Sequence, residues 1–130
     1  MRDIRFRAWS KKGKKMYFYS PFTMLVDGIE GNEFWKANYE RFNTDFIEMQ
    51  FTGLLDKNGK KIYEGDIVNA KIVDTEENYL TGFIRYSKCM WVIQNDNTLE
   101  CVPLHKYYDF QLEVIGNIHK DEDLLNEKDK

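Results

Sequence analysis

The sequence predicts a small, mainly β domain built on sheets, and three observations predict it. Apolar and charged residues alternate at period two in several short runs, the signature of half-buried strands. Glycine and asparagine turn signals separate those runs at close spacing and leave little room for helix. A chain of 130 residues, 42% of them hydrophobic and 15% aromatic, has the size of one domain that can bury a core.

The elements follow in chain order. Ile4-Arg5-Phe6-Arg7-Ala8-Trp9 places Ile4, Phe6 and Ala8 on one strand face and both arginines on the other, until Trp9 breaks the alternation. Lys11-Lys12-Gly13-Lys14-Lys15 is a turn and residues 16–19 are a second strand, so the chain opens on a β-hairpin with a lysine-rich tip. Residues 22–26 extend the sheet, and Asp27-Gly28 and Gly31-Asn32 mark loop. Between residues 33 and 46, Trp35, Tyr39, Phe42 and Phe46 recur at helical spacing, and helix is preferred there over strand although aromatics suit both. Ile47, Met49 and Phe51 alternate in a strand that ends at Thr52-Gly53.

Asp56-Lys57-Asn58-Gly59 then reads as an Asn-Gly hairpin turn, in which both central residues accept positive φ at low cost. Glu64-Gly65-Asp66 introduces a β-branched strand over residues 67–73. A further strand covers residues 79–86, and residues 90–94 and 98–102 form a hairpin around Asn95-Asp96-Asn97. Phe110, Leu112 and Val114 alternate in the last main strand, and Asp121-Glu122-Asp123-Leu124-Leu125 is a short helix with acids in its first turn.

Several kinds of site can be tested on these residues. Asp56 and Asn58 begin like a calcium loop, but that loop needs glycine at its sixth position and glutamate at its twelfth, where Ile67 stands here. Gly53 and Gly59 lack the Lys-Ser/Thr register of a phosphate loop. Glu64 and Asp66 are better read as local structure, with Gly65 permitting a tight turn and the Asp66 carboxylate accepting nearby backbone N–H groups. His105 and His119 lack the short spacing of a metal site or a neighbouring nucleophile. Cofactors are therefore expected to be none, and catalysis is not expected.

Cys89 and Cys101 form no C-x-x-C pair and are expected to be reduced and packed. With a loop over residues 95–97, Cys89 faces Pro103 and Trp91 faces Cys101; with a loop of Asp96-Asn97 alone, the two thiols point to opposite faces. Neither register sets them directly opposite. The sequence contains no run long and apolar enough to span a membrane and opens without an apolar leader, so a cytoplasmic protein without a membrane partner is expected.

The net charge of -3 is unevenly spread, with a basic head and an acidic tail over residues 121–130. Arg2, Arg5, Arg7, Lys11, Lys12, Lys14 and Lys15 form a candidate nucleic-acid stripe, with Trp9 and Tyr17 or Tyr19 nearby for stacking. The simpler reading of the same charges is an edge strand protected from aggregation, and the acidic total favours it. Three tryptophans, eight tyrosines and nine phenylalanines are more than a domain of this size is expected to bury, which points to a protein partner or a homo-oligomer.

Several blocks carry a resemblance: Phe6-Arg7-Ala8-Trp9, Lys14-Lys15-Met16, Met49-Gln50-Phe51-Thr52-Gly53-Leu54, Asp56-Lys57-Asn58-Gly59-Lys60, Ile62-Tyr63-Glu64-Gly65-Asp66-Ile67-Val68 and Glu113-Val114-Ile115-Gly116-Asn117-Ile118. In this order they resemble the YopX family of small bacteriophage and prophage proteins of unknown function. The resemblance covers nearly the whole chain, with residues 20–46 and 74–110 matching only in length and character. It implies a single YopX-like domain over residues 1–130. Within it, about 1–60 would be an N-terminal α+β portion, about 61–120 a C-terminal β portion resembling an SH3-like barrel, and 121–130 an acidic tail. No reaction, cofactor or catalytic residue comes with it. Asp121 departs from the family by standing where an asparagine-proline helix start is common, and it can cap the helix as well.

Overall fold

The computed structural model describes residues 3–19, 46–71 and 79–126. The strand extension expected over residues 22–26 and the end of the strand at 72–73 lie outside these, as does the helix expected over residues 33–46 except for Phe46, which is in a strand. The described part is mostly β, with nine strands and three short 3-10 turns. The chain divides into two compact units, Met1–Phe51 and Thr52–Lys130.

In the first unit β1 (Phe6–Ser10) pairs antiparallel with β2 (Lys15–Tyr19) and, on its other side, with the start of β3 (Phe46–Leu55). The expected hairpin is present. Ser10 closes its loop, its carbonyl accepting the Lys14 N–H at 2.8 Å and its Oγ accepting the Gly13 N–H at 3.0 Å. Cross-strand partners share a face, so Phe6 stacks on Tyr19 and Tyr17 meets Phe46 edge-on around Ala8. Arg7, Trp9 and Met49 share the opposite face and are all buried.

The edge-strand reading of β1 is therefore corrected, because the strand has hydrogen-bonded neighbours on both sides. The alternation is also only partly obeyed, with Met49 and Phe51 buried but Ile47 exposed. β3 continues past Gly53 instead of ending there.

The second unit is a five-stranded antiparallel sheet in the order β8-β7-β6-β5-β9, formed by β5 (Asp66–Lys71), β6 (Tyr79–Ser87), β7 (Met90–Asn95), β8 (Glu100–Pro103) and β9 (Leu112–Asn117). The short β4 (Lys61–Tyr63) precedes it. Ile62, Val68, Ala70, Leu80, Ile84, Ile93, Leu104 and Leu112 form one aliphatic core. Such β-branched and γ-branched side chains suit a pleated surface packed on one side.

One hairpin turn has no signal in the sequence, and one loop differs from expectation. Lys88 and Cys89, at φ +49° and +65°, form the two-residue turn between β6 and β7, with Ser87 opposite Met90. The β7–β8 loop spans residues 96–99, so Cys101 faces Gln94 and neither register considered for the cysteines is adopted. Both cysteines are free and exposed, not packed.

Phe110 is not in the last strand. It lies in a 3-10 turn, Asp109–Gln111, and is exposed. The final short helix is present as a 3-10 turn, Glu122–Asn126, but the Asp121 carboxylate turns back to accept the Asn117 N–H at 3.1 Å.

Candidate functional site

The acids that most resemble chemistry are occupied by the backbone. Asp56 is buried, and its Oδ1 accepts the N–H groups of Asn58 and Lys60 at 2.9 Å while Oδ2 accepts that of Val114 at 2.9 Å. The Lys57 N–H adds a bond to the Leu112 carbonyl at 2.8 Å, so the loop is stapled to β9. Burial works to raise the Asp56 pKa, but the three N–H donors and the Lys60 charge outweigh it and hold the carboxyl below its usual range. Gly59 alone takes positive φ, so this is not the expected two-residue turn. The Gly59 N–H closes the turn on the Asp56 carbonyl at 3.0 Å, while the Lys60 N–H goes to the carboxylate.

Asp66 is likewise structural, as its sequence context predicts. Its Oδ2 accepts the Tyr63 N–H at 2.8 Å across a turn in which Gly65 has φ +86°. His105 is exposed and His119 half-buried. Among the described residues, no group of three or more His, Cys, Asp or Glu is placed to hold a metal ion.

The predicted basic stripe is broken up. Arg2 lies outside the described residues. Arg5 is exposed, its Nε donating to both Asp3 carboxylate oxygens at 2.9 Å. Arg7 is only 5% exposed, because its face of β1 also carries the buried Trp9 and Met49. Lys11, Lys12, Lys14 and Lys15 remain together and exposed at the hairpin tip, with Lys14 at φ +52°. Of the aromatics offered for stacking, Trp9 and Tyr19 are buried. Tyr19 donates to Glu48, and burial, with that bond and charge, pushes its phenol well above its ordinary pKa.

Two surfaces of the second unit escaped the sequence reading. At the end of the β6–β7 hairpin, Tyr86 is 53% exposed and meets Trp91 edge-on at 5.0 Å, with Met90 also exposed. The other is a polar depression of about 270 Å3 lined by Lys57, Asn69, Lys71, Phe110, Gln111 and Glu113. Phe110 stacks on Tyr108 at 5.5 Å, and both rings are exposed.

Gln111 holds that turn. Its Oε1 accepts the Tyr108 N–H at 2.9 Å and its Nε2 donates to the Lys71 carbonyl at 3.0 Å. The available signal was Tyr107-Tyr108-Asp109-Phe110, where clustered aromatics interrupt the alternation before Leu112.

Fold and sequence together define a β-rich protein with polar-anchored turns and exposed aromatics. The chain belongs to the YopX protein family, whose model matches residues 5–126. Among solved structures it is similar to the crystal structure of protein EF1440 from Enterococcus faecalis, at 22% identity and a TM-score of 0.56, covering 96% of this chain and 99% of that one. That likeness concerns the fold. No curated protein matches the sequence. Among the described residues, no helix is long and apolar enough to cross a membrane.

Proposed function

We propose that the protein is a non-enzymatic accessory protein of bacteriophage or prophage origin, acting in the bacterial cytoplasm by binding other proteins, with a second copy of itself as the first partner. The observation that carries this reading is the Tyr86–Trp91 pair at the β6–β7 hairpin end, flanked by Met90. Aromatic and methionine side chains are enriched at protein interfaces, where large rigid side chains gain contact area at low entropic cost. The backbone bonds made by the Asp56 and Asp66 carboxylates support a binding role, since these acids hold turns.

The second unit is also proposed to be an SH3-like barrel. The support is its antiparallel run β5 to β8, the 3-10 turns after β8, and β9 returning beside β5.

Sedimentation velocity over a wide concentration series tests the binding reading. Reversible association that Tyr86→Ser weakens is the expected result. A monomer at every concentration overturns self-association, and failure of a photo-crosslinker at position 86 to capture any protein in the bacterial host overturns the wider reading.

A second reading is nucleic-acid binding. It is favoured by the four exposed lysines of the hairpin tip, whose clustered charge suits a phosphate backbone.

A further inference from the structure

The depression beside β5 and β9 has a chemistry that neither the family nor the hairpin lysines account for. Tyr108 and Phe110 are each 68% exposed and lie almost parallel, with an interplanar angle of 8°. Two stacked and largely exposed rings offer a third flat ring a place to continue the stack. The platform is set in advance. Gln111, 6% exposed, ties the aromatic turn to β5 through the Lys71 carbonyl, so stacking there orders little that is not already ordered.

The lining supplies the complementary polar groups. Lys57 and Lys71 bring two ammonium groups against one carboxylate, Glu113, which lies 3.6 Å from the Lys57 Nζ. The Asn69 Oδ1 accepts the Thr81 hydroxyl at 2.6 Å, which leaves the Asn69 amide N–H groups to donate to a base carbonyl. Glu113 can accept from an exocyclic amine, the pairing that carboxylates make with cytosine. About 270 Å3 of partly open space fits one monomer of a chain passing through better than an enclosed cofactor.

We propose that this depression binds a nucleotide unit of a single-stranded nucleic acid, with the base stacked on Phe110 and the phosphate held by Lys71 and Lys57. A duplex does not suit it, because a paired base keeps its faces inside the helical stack. The proposal rests on the nucleic-acid reading above but moves its specific contact from the hairpin tip to the second unit.

Fluorescence anisotropy with labelled oligothymidylate and oligocytidylate at low salt tests it on the full chain, with adenosine and cytidine monophosphates and a polyglutamate peptide as competitors. Phe110→Ala is expected to weaken binding by about tenfold or more, and Lys71→Ala to flatten the logarithmic salt dependence by about 0.7. Because Phe110 is exposed, an unchanged melting curve should accompany the loss. A quadruple alanine variant of Lys11, Lys12, Lys14 and Lys15 should keep most of the effect of Phe110.

Loss of binding in the quadruple variant alone overturns the pocket and leaves the hairpin reading standing. No binding by the unaltered chain at low salt overturns both. Competition by a free mononucleotide as strong as by the strand supports the nucleotide chemistry and overturns the strand as its source. Equal competition by polyglutamate shows plain charge pairing and overturns the proposal.

Discussion

The two units reach the same kind of structure, an antiparallel sheet, by different means. In the first, the described residues are held by aromatic pairs across strands, Phe6 on Tyr19 and Tyr17 on Phe46, with Tyr19 bonded to Glu48. In the second, an aliphatic core is framed by buried polar side chains that bond to the main chain: Asp56, Asp66, Asn95 and Gln111. Asn95 shows the economy of this device. Its Oδ1 accepts the Asn97 N–H at 2.9 Å in the β7–β8 loop, while its Nδ2 donates to the Thr81 carbonyl at 2.8 Å and the Leu125 carbonyl at 3.3 Å. Buried polar groups stabilise only when satisfied, and in exchange they fix one loop geometry. The second unit should therefore be the more sensitive to single polar changes, and the first to changes in ring packing.

The largest test of that contrast is Asp56→Ala. It strips the acceptor from three backbone N–H groups and should cost about 2–4 kcal/mol. Chemical denaturation would measure the loss, and hydrogen exchange resolved to peptides should show it first in residues 56–60 and 112–117. A loss below 1 kcal/mol would mean that the carboxylate merely decorates a loop already fixed by its neighbours.

A smaller effect is expected from Gly82→Ala. A methyl at this position would come within 2.8 Å of both the Gln94 carbonyl oxygen and Ile93 Cγ2. Strand β7 would have to shift, at about 1–3 kcal/mol, a typical overpacking penalty. Wild-type stability in this variant would show that the sheet of the second unit gives way more easily than its close packing suggests.

The smallest effects are those of pH, and they have opposite signs in the two units. The Asp56 pKa is lowered by folding, so its contribution is present above the unfolded value of about 4 and is lost as pH falls through the folded value. The Tyr19 pKa is raised by burial, then by Glu48, so its contribution is whole below the unfolded value of about 10 and is lost as pH rises. Asp56→Asn should flatten the acid limb of a stability-against-pH curve, and Tyr19→Phe the alkaline limb. Tyr19→Phe should cost only about 0.5–1.5 kcal/mol at neutral pH. If either substitution flattened both limbs, the two units would not carry separate pH dependence.

How far the sequence could be read depends on how local each feature is. The first hairpin was legible because Ser10 to Lys15 closes on itself, and the Asp66 turn because a carboxylate three residues away reaches the Tyr63 N–H. The Asn58-Gly59 signal was right about a turn and wrong about its type, since Val114, far along the chain, shares the Asp56 carboxylate. Lys88-Cys89 carries no turn signal in the sequence, yet both residues take positive φ because β6 and β7 pair tightly on both sides of them. The aromatic depression was missed for a similar reason: its lining comes from three segments that only the fold gathers.

By itself, then, the sequence determined the family, the strand-rich character and those turns whose hydrogen bonds close within a few residues. The tertiary structure decided which faces were covered. It paired both edges of β1 and buried the face that carries Arg7, exposed both cysteines, and turned Phe110 outward beside Lys71 and Gln111. Alternation at period two tells a strand that it has two faces, but what covers each face comes from distant segments, and that choice is made only when the sheet assembles.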